Sequence, residues 1–357
     1  MKNFATVSRL VVSVGLACAC VLIFAGPALA LDTIRLAGES INGTIQSMTR
    51  DEVVIREVGN SEPRAILVDE IISISFSGAP AAMQTVVGQM ESGDYNGMQR
   101  TLELPSLALD KLTDNQVKAE VSFCAAYAAA RNALNGNGNL EAAGRDMRAY
   151  VDTHPNHWRY YAAAQALGEL YSAVGAEDEA IRAFALLRAA PSKEIKLNGA
   201  MAQAQSMLAS GQHEGAMALF KEVLDDGGSS ELAKVRLMTA EVGLVACQAQ
   251  LGQAEEGIKI IKNIIDEGDA ENASLFAMAY TALGNCHLAK GENKDALLAF
   301  LHVELLYPSQ SRYRAEALYH LSRLWGEVGQ GERAVQARQI LLSTYSDSVW
   351  ARKSEGR

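Results

Sequence analysis

Residues 280–308 read YTALGNCHLAKGENKDALLAFLHVELLYP, and they contain two helical patterns joined at Gly291. Each pattern carries one apolar stripe at the 3.6-residue spacing of an α-helix. Small residues stand where the two helices of such a hairpin come closest, at Gly284 before the turn and at Ala296 after it. One hairpin cannot bury its second apolar face alone, so this stretch predicts neighbouring hairpins stacked into a solenoid.

The same arrangement returns along the chain. Proline stands at the ends of three units, at Pro155, Pro191 and Pro308, where its ring would clash with a continuing helix. We therefore predict a mainly α fold, a right-handed solenoid of about seven helical hairpins over residues 79–357. The glycines that predict the turns lie 36 to 45 residues apart, at Gly93, Gly138, Gly175, Gly211, Gly252, Gly291 and Gly329.

These hairpins closely resemble the tetratricopeptide repeat, although their period exceeds the usual value of about 34 residues. Tyr307-Pro308-Ser309 followed by Ala315 is similar to a spacing found in envelope proteins of the Tol-associated and outer-membrane-assembly group. A second copy, Tyr345-Ser346-Asp347-Ser348, has serine in place of the proline. The resemblance implies a non-catalytic scaffold that binds other proteins.

The first 30 residues predict export. Lys2 and Arg9 precede a charge-free run that ends in the small-x-small sequence Ala28-Leu29-Ala30, which is typical of a cleavable signal peptide. We predict cleavage after Ala30 and a periplasmic or otherwise exported protein. An uncleaved anchor stays open because the run is about 20 residues long. Lipidation at Cys18 or Cys20 also stays open, and membrane association is expected only in these two cases.

Residues 31–78 differ from the rest because they contain short β-rich runs with alternating polarity, such as Thr44–Met48 and Ile72–Phe76. Five short strands are predicted, and they resemble a small SH3-like or Sm-like barrel. This domain either caps the solenoid or forms a separate binding module. Eight acidic residues face four arginines in it, which argues against nucleic-acid binding.

The composition of the whole chain also argues against nucleic-acid binding. Without residues 1–30 it has 30 basic and 42 acidic residues, a net charge of −12, whereas nucleic-acid binding demands basic surface. Three cysteines then remain, Cys124, Cys247 and Cys286. The last two take equivalent places on neighbouring hairpins, about 8–10 Å apart, which exceeds the disulfide limit of about 7 Å. All three are expected to be buried thiols.

No motif predicts catalysis, a cofactor or a metal. The segment 329–334, GQGERA, matches a relaxed dinucleotide fingerprint, but a helix rather than a strand precedes it. The pair His154 and His157 has no third ligand nearby and predicts a loop between repeats. We expect no enzyme activity, no cofactor and no small-molecule substrate; an enzyme with an unrecognised site is the rival hypothesis.

The resemblance implies that the first helix of each hairpin lines a concave groove. Lysines and asparagines that would clamp a terminal carboxylate are mostly missing there, so an apolar or amphipathic segment of another envelope protein is the predicted partner. Packing of these residues on an extra helix or on each other stays open, as does recruitment through the β domain. The predicted partner-binding residues are Gln165, Glu169, Met201, Gln205, Leu208, Thr281, Asn285, Leu288, Tyr319 and Arg323.

Overall fold

The computed structural model describes residues 31–228, 231–269, 271–346 and 348–356, without the side chains of residues 231 and 232. The predicted signal peptide and Asp347 of the segment Tyr345–Ser348 lie outside the described residues. Within them the chain forms one antiparallel sheet followed by fifteen α-helices. No helix in this described part is long and apolar enough to cross a membrane.

The sheet has five strands, β1 (Asp32–Leu36), β2 (Ser40–Met48), β3 (Glu52–Glu57), β4 (Arg64–Leu67) and β5 (Ile71–Ser75). Their order in the sheet is β4-β3-β2-β1-β5. Bulges interrupt the pairing of β2 with β3 and of β1 with β5, and such bulges bend and twist a sheet. A short 3-10 helix, Val68–Glu70, joins the last two strands. The resemblance to SH3-like and Sm-like barrels stays a prediction.

The helices pair into seven consecutive hairpins within the described residues, and a short helix, α15 (Val349–Ser354), follows the last pair. The first helices of the pairs are α1 (Ala82–Ser92), α3 (Asn115–Leu134), α5 (Tyr160–Ala173), α7 (Lys193–Ala209), α9 (Glu231–Gln250), α11 (Ala273–Ala289) and α13 (Ser311–Glu327). The second helices are α2 (Tyr95–Leu102), α4 (Leu140–Thr153), α6 (Glu177–Leu187), α8 (His213–Asp226), α10 (Ala254–Glu267), α12 (Asn293–Leu306) and α14 (Gly331–Thr344).

Left-handed glycines end the first helix of every pair. Six of the seven predicted turn glycines have φ between 72° and 85°, a region that costs glycine nothing because it has no Cβ. Gly138 is the exception and this prediction was wrong: the left-handed residue is Gly136, with φ 84°. The turn between α3 and α4 is two residues longer than the turns of the five later hairpins. Gly138 therefore has the expected distance to the start of α4 but not to the end of α3.

Close helix contacts depend on glycine facing phenylalanine. A Cβ added to Gly284 on α11 would lie 2.7 Å from Cζ of Phe300 on α12, and Ala296 beside it is fully buried. Gly168 meets Phe184 in the same way. The helices can therefore approach until an aromatic ring lies directly against the backbone of its neighbour.

The sheet and the first helices share one apolar core. Ile34, Ile55 and Ile66 of the sheet belong to the same buried cluster as residues of α1 to α5. Two side-chain hydrogen bonds also join the sheet region to later repeats: the Tyr161 hydroxyl donates to Asp51 over 2.7 Å, and the Ser192 hydroxyl donates to Asp69. The sheet is thus packed against the solenoid rather than held apart from it.

A buried polar network joins the second and third hairpins. The carboxylate of Glu120, fully buried on α3, accepts hydrogen bonds from Trp158 Nε1 (2.9 Å) and from Arg159 Nε (3.1 Å) and Nη2 (2.9 Å). His157 Nδ1 lies 2.7 Å from the Tyr150 hydroxyl. Burial lowers the pKa of His157 to about 4, so its ring is neutral. The segment that was predicted here as a loop between repeats therefore connects the second and third hairpins through this buried network.

The three cysteines of the described chain, Cys124, Cys247 and Cys286, are buried and free, as predicted. Burial raises the pKa of each thiol, to about 12 for Cys247 and to about 11 for Cys286. The thiols therefore stay protonated at neutral pH, which keeps them unreactive.

Candidate interaction groove

The first helices of successive hairpins surround a single large groove. Its volume is 1640 Å³, and side chains of α5, α7, α9, α11, α13 and α15 line it. Such a volume exceeds that of ordinary small-molecule sites, which span about 300–1,000 Å³. The groove is long and open enough to take a segment of polypeptide.

The structure brings nine of the ten predicted binding residues to this groove. Leu288 is the exception: it packs against the apolar cluster formed by α11 to α15 and does not line the groove. Its place one turn before Gly291 puts it on the side of α11 that faces the next hairpin. Whether the others bind a partner stays a prediction. The nine lining residues are Gln165, Glu169, Met201, Gln205, Leu208, Thr281, Asn285, Tyr319 and Arg323.

Polar side chains that line the groove near α5 are hydrogen-bonded to one another and to α3. Glu169 accepts hydrogen bonds from Arg131 Nη1 at 2.6 Å and from Gln165 Nε2 at 3.0 Å. The guanidinium that meets Glu169 comes from α3, so the ion pair also connects two hairpins. The charge of Glu169 is therefore neutralised by Arg131 in this part of the groove.

The middle of the groove contains both apolar and polar side chains. Met201 and Leu208 are partly buried against the core of the fourth hairpin. Thr281 is buried, and its hydroxyl donates to the Ala277 carbonyl at 2.8 Å, so it offers little to a partner. Asn285 Nδ2 donates to Glu316 Oε1 at 2.9 Å. The methionine and leucine side chains supply the apolar part of this surface.

Three contacts join distant elements that line the groove. Arg312 at the start of α13 donates from Nη2 to the carbonyl oxygen of Gln205 on α7 at 2.7 Å. The Gln205 side-chain nitrogen in turn lies 4.0 Å from Sδ of Met278 on α11. The guanidinium of Arg352 on α15 also lies against the Gly175 turn. The last hairpin thus contacts the fourth, and α15 contacts the third.

Helix α15 also lines the groove, and it was not predicted from the sequence. The Tyr319 and Trp350 rings lie 5.1 Å apart, so part of the Tyr319 face packs on an additional helix, which was one of the open alternatives. Ser348 begins α15, because its hydroxyl accepts the Ala351 amide at 3.1 Å. The capping serine with the following apolar residues was the signal that could have revealed it.

One cluster in the described residues has the composition of a metal site. Donor atoms of His287, Glu292 and Asp295 lie within 4.8 Å of one another at the α11–α12 turn. His287 Nδ1 already lies 2.6 Å from Glu292 Oε2, and Lys290 Nζ lies 2.9 Å from Glu292 Oε1. The lysine supplies the positive charge that a metal ion would bring, so the cluster is an ion-pair network.

No protein-family model matches this sequence, and no curated protein matches it. Solved structures are similar to it in fold. NprR in complex with its cognate peptide NprX has a TM-score of 0.54 at 12% identity, covering 74% of this chain and 77% of that one. A tetratricopeptide repeat protein from Parabacteroides merdae ATCC 43184 has a TM-score of 0.53 at 14% identity, covering 73% and 91%. PilW, a type IV pilus biogenesis factor, has a TM-score of 0.39 at 17% identity, covering 67% and 99%. The chain therefore has the helical-repeat solenoid fold of tetratricopeptide repeat proteins, preceded by a small antiparallel sheet.

Proposed function

We propose that this protein is a non-catalytic scaffold whose groove binds a segment of another protein. The observation that carries the proposal is the groove itself, a continuous space of 1640 Å³ lined by the first helices of five hairpins and by α15. Apolar side chains such as Met201, Leu208 and Met278 lie among numerous polar groups in its lining, which suits an amphipathic segment. NprR, which has a similar fold, was solved in complex with a peptide.

The proposal extends to location. The sequence of residues 1–30 predicts export, so the partner would be another protein of the cell envelope. The sequence Tyr307-Pro308-Ser309 followed by Ala315 is similar to a spacing found in envelope proteins of the Tol-associated and outer-membrane-assembly group and supports the same setting. Residues 31–78 are the second candidate surface for recruitment, because the exposed side of this sheet is free of the solenoid core.

A peptide selection tests the groove. Random 16-residue peptides displayed on phage are selected on the purified protein, and enriched peptides are resynthesised with a fluorescent label. Their affinities are measured by fluorescence anisotropy for the wild type and for Ala202→Trp, which places a bulky neutral ring inside the groove. Ala149→Trp on the exposed outer side of α4 is the matched control.

We expect Ala202→Trp to abolish measurable binding, whereas Ala149→Trp binds like the wild type. Tyr319→Ala is expected to weaken binding about tenfold, or about 1.4 kcal/mol, because interface energy concentrates in aromatic anchors. Unchanged melting temperatures establish that the variants are folded. Failure to enrich any peptide, or equal affinity of Ala202→Trp and wild type, would contradict the proposal and leave residues 31–78 as the better candidate.

A further inference from the structure

The α15 end of the groove has a distinctive chemical character. Tyr319, His320 and Arg323 of α13 meet Trp350 and Lys353 of α15, and all five line the groove. The Tyr319 ring lies 5.1 Å from both the His320 and the Trp350 ring, and His320 lies 5.4 Å from Trp350. We call these five residues the basic–aromatic end.

Both cations of this end are positioned by aromatic rings. The Arg323 guanidinium carbon lies 5.8 Å from the Tyr319 ring centroid, and Lys353 Nζ lies 4.2 Å from the Trp350 centroid. A cation over an aromatic face is stabilised without losing its charge. The side chains are therefore held in place while their positive charge stays available.

Neither cation forms an ion pair with any carboxylate of the described residues. This contrasts with other arginines near the groove, since Arg131 pairs with Glu169 and Arg236 pairs with Glu194. The chain has 42 acidic residues against 32 basic ones, so carboxylates are plentiful. In a chain with an excess of carboxylates, two cations that line the same groove without forming an ion pair leave positive charge available to a bound partner.

The neighbouring titratable groups contribute little charge that would oppose these cations. The pKa of His320 is lowered to about 4 by burial and by the charges of Arg323 and Lys353, so the ring is neutral at physiological pH. Glu316 lies one turn before His320 on α13, and burial raises its pKa against the opposing effects of Asn285, Arg312 and Lys353. Burial thus disfavours the charge of Glu316, a carboxyl group that interacts electrostatically with Lys353.

We infer that the basic–aromatic end binds acidic side chains of the partner segment, with Arg323 and Lys353 facing aspartate or glutamate and with Tyr319 and Trp350 packing against neighbouring apolar residues. The inference rests on the proposed binding of a peptide in the groove. Guanidinium–carboxylate pairing is charge-assisted and directional, so it fixes register as well as adding affinity.

The test repeats the peptide selection on the wild type and on the double variant Arg323→Gln/Lys353→Gln. All resynthesised peptides are amidated, so a terminal carboxylate cannot replace acidic side chains. Lys221→Gln/Lys262→Gln is the matched control, since it removes the same charge from exposed positions outside the groove lining. Thermal melting of each variant reports on folding.

We expect the wild-type and control pools to be enriched in aspartate and glutamate over the input library, and the pool of the double variant to lack this enrichment. Exchange of the acidic residues for asparagine and glutamine is expected to weaken wild-type binding about tenfold. The affinity of the acidic peptides is also expected to fall as salt concentration rises, because salt screens exposed charges.

Two results would overturn the inference while leaving the groove proposal intact. The first is a set of peptides that Ala202→Trp excludes but that carry no excess of acidic residues. The second is the same acidic enrichment on the double variant as on the wild type. An unenriched selection on every protein contradicts the groove proposal itself, so the two failures are distinguishable.

Discussion

Exchange of Gly284 for alanine probes the packing of the solenoid with a single methyl group. The added Cβ would lie 2.7 Å from Cζ of Phe300, closer than carbon atoms approach in folded proteins. Phe300 is fully buried, and its ring stacks on His320 with centroids 4.6 Å apart. The ring therefore has no free space to move into, and the helices α11 and α12 must separate.

The expected cost follows from two opposing effects. Overpacking of a core costs about 1–3 kcal/mol, whereas alanine gains about 0.5–1 kcal/mol over glycine inside a helix. The difference between these effects is about 0–2.5 kcal/mol, and an approach of 2.7 Å belongs to the costly part of that range. We therefore expect Gly284→Ala to lower the free energy of unfolding by about 1–2.5 kcal/mol, and Gly284→Leu to lower it further. Gly88→Ala is the control, because Gly88 lies inside α1 with open space where its Cβ would be. It is expected to stabilise the protein.

Urea unfolding followed by circular dichroism measures both variants against the wild type. Addition of Phe300→Leu to Gly284→Ala is expected to restore part of the loss, since residues in contact couple by about 0.5–3 kcal/mol. Equal unfolding midpoints for the wild type and Gly284→Ala, or a stabilisation like that of Gly88→Ala, would refute the glycine–phenylalanine contact.

Three further predictions concern the buried network and export. Burial lowers the pKa of His157 from 6.5 to about 4, so the unfolded chain takes up a proton first, and this group is expected to reduce the free energy of unfolding by about 3 kcal/mol as pH falls through that range. His157→Asn is expected to remove this contribution and to leave that of His320, whose pKa burial also lowers to about 4. His302→Asn is expected to keep both contributions in unfolding curves between these pH values. Glu120→Gln leaves a buried guanidinium unpaired and is expected to lower the free energy of unfolding by about 3–5 kcal/mol. Glu179→Gln, in an exposed ion pair, is expected to lower it by about 1 kcal/mol or less. Similar losses of stability for both variants would contradict the importance of the network. N-terminal sequencing of the exported protein is expected to begin at Leu31, and an intact first residue or a lipidated cysteine would contradict cleavage.

The hairpins could be predicted from sequence because their signals are local. A turn glycine, a small residue at the close approach and an apolar stripe all lie within one repeat of 36 to 45 residues. The five β-strands also follow local alternation, and the structure has them close to the predicted positions. Gly138 was misplaced because two glycines stand within three residues, and only backbone conformation distinguishes Gly136 as the left-handed one.

The shape of the groove could not be predicted, because it depends on small rotations that accumulate from one repeat to the next. The hydrogen bond from Arg312 to Gln205 joins residues 107 positions apart, and no repeat pattern contains that pairing. Nor could the sequence show that Trp350 and Lys353 line the groove, because α15 is too short to show a clear apolar period. Leu288 was assigned to the groove by its spacing alone, although it faces the neighbouring hairpin.

The most direct test of groove binding is a site-specific photo-crosslink. A benzoylphenylalanine is placed at Met201 in the groove or at Leu305, which is 63% exposed and does not line the groove. Each protein is irradiated with a selected 16-residue peptide, and crosslinked residues are mapped by mass spectrometry. Groove binding predicts a crosslink from position 201, lost on competition with unlabelled peptide, and none from position 305. A crosslink from position 305 alone would contradict it.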